Sequence, residues 1–421
     1  MLYQLARFAM AAASVVVAVS GQGHHNRTLQ SYSFDELAAT ENVAAAPADH
    51  VQHSIRSGKV AAKGVNLGSW LVTEQWMTAQ APFWKNLDNQ YANKGEYIAL
   101  AKGADHAKRV AEFENHHATF VMEKDIQDIA NAGLNTVRVP VGYWITGDDQ
   151  FDPSGKGAWK VFPKDTLKRV DTLIRDWALK HNVAVLISIH AAKGSQSGAD
   201  HSSPTDPGKA YWSKYPENVD NTIHVAKFLG DRYKNDAAFL GIGLLNEPTG
   251  DTDEKVLNDY YQRAYKAVRG SGNNCVLTIM PLLHKQTADN LVGFMEKPSY
   301  TNVWVEWHPY FIWGYEKWSA GDLLNNGIKR DFINKINKWN SRPNANRMFF
   351  GEWSLASAGQ YTNSDTEDFL KWTKAQMEGM NKATGGWTYW SWRMYGDENG
   401  FNGWSMRSVL RKSKLKSALL G

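Results

Sequence analysis

Eight short apolar runs punctuate the chain, at 62–67, 136–141, 184–190, 242–246, 276–280, 303–307, 348–351 and 387–391. Each is too short for an ordinary helix, and each predicts a strand buried on both faces. Between most of them the apolar positions recur with a helical period, over 123–132, 165–180, 221–233, 254–268, 328–339 and 366–380. Strands alternating with amphipathic helices predict a parallel sheet joined by crossover helices. Eight such units suit an α/β fold of the (β/α)8 TIM barrel type, in one catalytic domain. An open doubly wound sheet is the alternative. It is disfavoured because no Gly-rich phosphate loop follows the first strand.

Two stretches break the pattern. Residues 75–120 read as a long irregular connection, and so does 191–215, rich in Gly, Ser, Pro and Asp. Long loops in a compact domain are usually functional. Both follow the C-terminal ends of strands, where barrel active sites lie.

The N-terminus has its own logic. Arg7 precedes an apolar run over 8–19, and the small residues Ser20 and Gly21 offer a cleavage point. Residues 1–20 therefore read as a signal peptide, with an uncleaved anchor as the alternative. The run is too short for an ordinary membrane span, and no later segment has 18 consecutive apolar residues. A secreted protein follows, extracellular or in a cell wall, with no membrane span once the signal is removed. Residues 21–57 are polar and Ala-rich with little periodicity, as expected of a partly disordered linker or propeptide. They contain the sequon Asn26-Arg27-Thr28. The folded domain is expected over 58–421.

Composition narrows the function. A formal charge of +4 with no long run of one sign gives no footprint for nucleic acid. The one cysteine, Cys275, cannot form an intramolecular disulfide, so stability must come from burial, for which 43% hydrophobic residues suffice. Eighteen Trp are more than a core needs, because a buried indole N–H wants a partner. The excess suggests flat aromatic faces in a cleft, where sugar rings stack. A large core with a few surface Trp is the plainer reading.

The chemistry concentrates at strand ends. In Gly243-Leu244-Leu245-Asn246-Glu247-Pro248 an apolar strand stops at Pro248, which cannot donate to the ladder, and Glu247 is displayed at its tip. A carboxyl shielded there would have a raised pKa and could donate a proton; a helix cap or a surface Glu is the bland alternative. In Met348-Phe349-Phe350-Gly351-Glu352-Trp353-Ser354 a second apolar strand ends in Glu352. A barrel can bring two strand tips together, and two carboxyls so placed are what glycoside hydrolysis needs. Arg138, inside Thr136-Val137-Arg138-Val139-Pro140, is costly to bury unless paired, and Glu352 is the expected partner. His190 ends the third strand, and His308 and Tyr310 lie in Trp307-His308-Pro309-Tyr310. Any one His here could be a satisfied core residue; together they form a convergent ring. A metal site is not expected. His24-His25 and His116-His117 are adjacent pairs that diverge on a regular element, and no HExxH or CxxC spacing occurs.

Together these motifs resemble glycoside hydrolase family 5, in the branch of fungal-type exo-β-1,3-glucanases. The similarity begins at Gly64-Val65-Asn66-Leu67-Gly68-Ser69-Trp70-Leu71-Val72-Thr73-Glu74 and runs through 116–123, 132–144, 189–200, 242–250, 307–310 and 351–354 to 386–392. The resemblance implies Glu247 as acid/base and Glu352 as nucleophile, with Arg138 and Tyr310 orienting the nucleophile. It implies that His190, Asn246 and His308 bind hydroxyls near the cleaved bond. Glu74 would grip the non-reducing-end glucose, and Trp390 would lie beneath that sugar. No cofactor is implied; the partner is a β-glucan polysaccharide or oligosaccharide, and a monomer is expected. The chain departs from the pattern at Gln75, Ser188, 190–193, Ala199 and His201, mostly on the acceptor side of the cleft. A retaining exo-β-1,3-glucanase, with transglycosylation as a further capacity, is the reading that follows. A β-1,6 or β-1,4 glucanase and a non-catalytic glucan-binding protein are the alternatives.

Overall fold

The computed structural model describes residues 49–88, 90–91, 93–152 and 157–421. The expected signal peptide, the sequon and most of the expected linker lie outside them. Eight parallel strands, β1 (Ala62–Asn66), β2 (Thr136–Gly142), β3 (Ala184–Ala191), β4 (Phe239–Gly243), β5 (Val276–Ile279), β6 (Val303–Trp307), β7 (Arg347–Phe350) and β8 (Gly386–Tyr389), pair in sequence order. β8 closes on β1, so the sheet is a barrel and has no free edge. The doubly wound alternative is thereby excluded.

Seven strands fall within a residue or two of the apolar runs. β4 does not: it begins at Phe239 and leaves the ladder at Gly243. The expected strand over 242–246 therefore mostly lies beyond the regular pairing. Its amides still bond to neighbours, Leu244 to the Thr278 carbonyl and Asn246 to the Ile189 carbonyl, each at 3.0 Å. An apolar run marks burial, and here burial continues past the strand.

Crossover helices pack outside the barrel. The expected helix over 165–180 is Thr166–Thr172 continuing as a wider π-helical stretch, Leu173–Ala178. The helix expected over 328–339 starts earlier, as Leu323–Phe332, and ends at Asn340. The connection expected to be irregular over 75–120 is corrected: it contains the helices Glu96–Lys102 and His106–Thr119. The longer one buries Arg109, Phe113, His116 and His117, and this mostly polar face hides the helical period. His116 bonds the Ser69 carbonyl and His117 bonds Asp165, so the two imidazoles do diverge.

The boundary at 58 is also corrected. Val51–Ser57 is a helix, capped by His50 and ended by Gly58 in the left-handed conformation. Its Ile55 is 1% exposed and packs on Ala62, Ala184, Leu186, Leu240, Val276, Trp304 and Phe349, at the N-terminal ends of the strands. Arg347 donates to the carbonyls of Ile55, Arg56 and Ser57. The segment thus plugs the floor of the barrel and leaves the opposite end for chemistry. Cys275 is buried, and burial pushes its thiol up to about 11. No helix among the described residues is long and apolar enough to cross a membrane.

Ile55→Ala should lower the unfolding free energy by about 2–5 kcal/mol through the cavity it leaves, measured by urea denaturation. An unchanged midpoint would mean that the helix does not plug the floor.

Candidate active site

Both strand-tip glutamates sit where the chain leaves the barrel. Beyond β4 the backbone is held by Tyr260, which donates to the Leu244 carbonyl at 2.6 Å, and by Gln196, which donates to the Asn246 carbonyl at 2.7 Å. This presents Glu247 in a left-handed conformation, φ +44°. A non-glycine residue there costs about 1–3 kcal/mol, which the surrounding bonds must offset. Glu352 follows β7 and Gly351. The Gly351 carbonyl accepts from Asn66 Nδ2 at 2.8 Å and Thr388 Oγ1 at 2.6 Å, which fixes the approach of Glu352.

The two carboxyls face each other across His308. One ligand-type atom from each of Glu247, His308 and Glu352 lies within 4.8 Å of the other two. His308 Nδ1 is 2.6 Å from Glu247 Oε1 and 3.5 Å from Glu352 Oε2. Arg138 Nη1 donates to Glu352 Oε1 at 2.9 Å, and Tyr310 Oη donates to Glu352 Oε2 at 3.1 Å. Both oxygens of Glu352 are therefore taken as acceptors, which favours its ionised form. Such a pair can place an attacking carboxylate on one side of a bond and a proton-moving carboxyl on the other.

Arg138, 1% exposed, has more partners than the sequence suggested. It also donates to Asn66 Oδ1 at 2.9 Å and Asn246 Oδ1 at 2.7 Å, and it pairs with Glu306 Oε1 at 3.0 Å. Glu306 escaped the sequence reading. A glutamate inside Val303-Trp304-Val305-Glu306-Trp307 was the available signal, because a buried charge in an apolar strand needs a partner just as Arg138 does.

The charges correct one expectation. Burial pushes the Glu247 carboxyl up, but the hydrogen bond from His308 and the charges of His308, His201 and Arg138 outweigh it and bring it down to about 2. The shielded carboxyl with a raised pKa is not what the free site holds. Burial lowers His308, yet Glu352, Glu247 and Glu306 lift it to about 9. Burial raises Glu352; His308 and Arg138 oppose the rise and the charge of Glu247 adds to it. The balance thus places a proton on His308, one short hydrogen bond from Glu247.

Glu74, His190 and Trp390 line one cavity of about 930 Å3, together with Glu247, Glu352, His308 and Tyr310, whereas Asn246 is buried behind it. His190 stacks flat on Trp390, ring centres 5.5 Å apart and 5° from parallel. Burial, Arg138, His201 and His308 all keep His190 neutral. Asn246 Nδ2 lies 3.5 Å from His190 Nε2. Glu74 accepts from Trp76 Nε1 at 2.9 Å through one oxygen, while its other oxygen has no partner. Burial and Asp200 raise Glu74 well above the usual range. Both ring nitrogens of His308 are engaged by carboxylates, Nδ1 by Glu247 and Nε2 by Glu306. A second trio, Glu74, Asp200 and His201, also brings ligand-type atoms within 4.8 Å and faces the same cavity. His201 Nε2 lies 3.7 Å from Glu247 Oε2.

The tryptophans divide between two uses. Seven are fully buried (Trp70, Trp212, Trp304, Trp339, Trp353, Trp372 and Trp387), so the core takes more of them than composition suggested. Several of these indoles donate to backbone carbonyls or side chains within the core. Trp76, Trp313, Trp390 and Trp404 line the cavity, with Trp313 65% exposed at its rim.

The shifted groups set a pH window for stability. His308 is raised from 6.5 to about 9, so its contribution is complete below pH 6.5 and is lost as pH rises through about 9. Burial raises Glu306, but Arg138, His308 and Thr278 lower it from 4.5 to about 2, so its contribution is complete above pH 4.5 and is lost as pH falls toward 2. Thermal melts should peak between these limits, and His308→Gln should flatten the alkaline decline. A decline as steep in the variant would assign it to other groups.

Residues 101–396 match the family model described as Cellulase (glycosyl hydrolase family 5). A glucan 1,3-β-glucosidase of Pichia angusta is 26% identical over 92% of this chain and 94% of its own. One from Blumeria graminis is 30% identical over 76% of this chain and 70% of its own. A glucan endo-1,6-β-glucosidase B of Emericella nidulans is 25% identical over 79% of this chain and 80% of its own. Among solved structures, rutinosidase from Aspergillus niger shares the fold with a TM-score of 0.67 at 18% identity, covering 86% of this chain and 99% of that one. With the match spanning most of the barrel and two facing glutamates at its mouth, the chain belongs to glycosyl hydrolase family 5 and is a glycosidase.

Proposed function

We propose that this glycosidase is a secreted, retaining enzyme that cleaves β-1,3-glucan from the non-reducing end. The observation that carries the reading is the close approach of the Glu247 and Glu352 carboxyls, within 4.8 Å atom to atom. Retention needs about 5–5.5 Å between the two groups, whereas inversion needs roughly 6.5–9.5 Å to admit a water. Glu352, oriented by Arg138 and Tyr310, attacks the anomeric carbon as its carboxylate. Glu247 hands the departing oxygen the proton that His308 passes to it, which leaves Glu247 a carboxylate and His308 neutral. A covalent glycosyl-enzyme results. Glu247, now a carboxylate, takes a proton from water as that water attacks, and the sugar leaves with its configuration retained. A second sugar in place of water gives transglycosylation.

The linkage is drawn from relatives named as glucan 1,3-β-glucosidases. Exo action draws support from the carboxyl groups of Glu74 and Asp200, which line the same cavity and suit the hydroxyls of a terminal sugar. The endo-1,6 relative keeps β-1,6-glucan as the second reading.

Reducing-sugar release from laminarin, pustulan and carboxymethyl-cellulose separates the linkages; cleavage of pustulan or cellulose alone would overturn the β-1,3 assignment. Glucose as sole early product, with the β anomer seen first by NMR, is expected. Glu352→Gln should cut turnover by about 10⁴-fold or more, as loss of a nucleophile does. Glu247→Gln should cut it by about 10²–10⁴-fold on laminarin. Glucan binding without sugar release by the unaltered protein would favour a binding protein instead.

A further inference from the structure

Glu306 lies behind the facing pair, 3% exposed, and does not line the cavity. Its Oε1 is 3.0 Å from Arg138 Nη2 and 3.1 Å from His308 Nε2, and its Oε2 accepts from Thr278 Oγ1. Arg138 has only donors, so Oε1 is an acceptor. An ionised carboxylate between these groups has no proton to give, and His308 Nε2 must therefore carry its own. That fixes the tautomer. The Nδ1 nitrogen, turned to Glu247, is the one that gains and loses a proton.

The backbone makes room for this arrangement. A Cβ on Gly351 would fall 1.8 Å from Glu306 Oε1, so only glycine lets the carboxylate tuck beneath Glu352. The groups that face His308 are Glu247 and Glu352 from the β4 and β7 ends, Arg138 on β2, His190 on β3, and Glu306 on its own strand. His201 lies beyond Glu247.

We propose that Glu306 is a positioning residue: it fixes the orientation and tautomer of His308 and holds one proton in the His308–Glu247 pair for delivery to the leaving oxygen. The inference rests on the roles given above to Glu247 and Glu352. Glu306 touches no substrate. It works as the orienting carboxylate does in hydrolytic triads, with the imidazole recharging an acid instead of activating a nucleophile.

Glu306→Gln keeps the shape. Its amide oxygen can still accept from Arg138 and His308 while Thr278 turns to accept from the amide nitrogen. Only the negative charge is lost, and with it part of the proton affinity of His308. The test is the pH profile of kcat/KM on laminaribiose and on 2,4-dinitrophenyl β-glucoside, whose leaving group needs no acid. On laminaribiose the alkaline limb should move down by about one pH unit or more. The aryl glucoside should show no such shift in its glycosylation step, KM should stay within about twofold, and Glu306→Asp should restore much of the limb. An unmoved limb, or an equal loss on both substrates at every pH, would overturn the proposal. If the variant does not fold, ¹⁵N-histidine NMR of the unaltered enzyme decides. Nε2 should stay protonated while Nδ1 titrates, and a neutral form protonated at Nδ1 would overturn it. Absence of turnover by the unaltered enzyme on both sugars would instead defeat the proposed function, leaving the NMR result to judge Glu306 by itself.

Discussion

The mouth of this barrel is organised around one buried cation. The guanidinium of Arg138 is almost completely removed from solvent and is gripped by Glu352, Glu306, Asn66 and Asn246. A buried charge is tolerated only when paired and hydrogen-bonded, and breaking such a pair leaves the partner uncompensated. Four strands or strand ends meet on it: β1 through Asn66, the β4 extension through Asn246, β6 through Glu306 and the β7 tip through Glu352. Closure of the sheet and placement of the chemistry are therefore one problem with one solution.

A second consequence concerns where protons reside. Three carboxylates crowd around one guanidinium and one imidazole, so the net charge of the group is unfavourable unless His308 is protonated. The network answers by raising His308 and lowering Glu247 and Glu306. Glu352 is buried and Glu247 slightly less so, but the larger difference is in their partners. Arg138 and Tyr310 engage the first as donors, whereas the second faces an imidazole that can return its proton. The asymmetry between the proposed nucleophile and the proposed acid is written in those partners, not in solvent exposure.

The aromatic side chains show the same economy. Trp70, Trp339 and Trp372 in the core donate their indole N–H groups to backbone carbonyls, and so act as clamps between segments. Those at the cavity differ in exposure: Trp390 is buried and stacked on His190, whereas Trp313 stands open at the rim. Near Ala199, one of the departures from the family pattern, the imidazole of His201 stands beside the Glu247 carboxyl. The acceptor end of the cavity is where this chain differs most from the pattern that it resembles.

Periodicity and strand-end chemistry are local properties, and the sequence by itself determined them. Eight buried runs, their parallel order, the two terminal glutamates and the burial cost of Arg138 were all legible, because each follows from a short stretch of side chains and its need to be buried or paired. What lay beyond it required neighbours distant in the chain. The helix over His106–Thr119 went unseen because its buried face is polar, and polar burial is stabilised only by partners such as Ser69 and Asp165. Val51–Ser57 went unseen because a plug has meaning only once there is a floor to close. The pKa of Glu247 was misjudged because burial alone raises a carboxyl, while the sign of its shift depends on His308 and Arg138, supplied by other strands. Tertiary structure decided the electrostatics because charges interact through space, and distance along the chain carries no information about distance across a barrel.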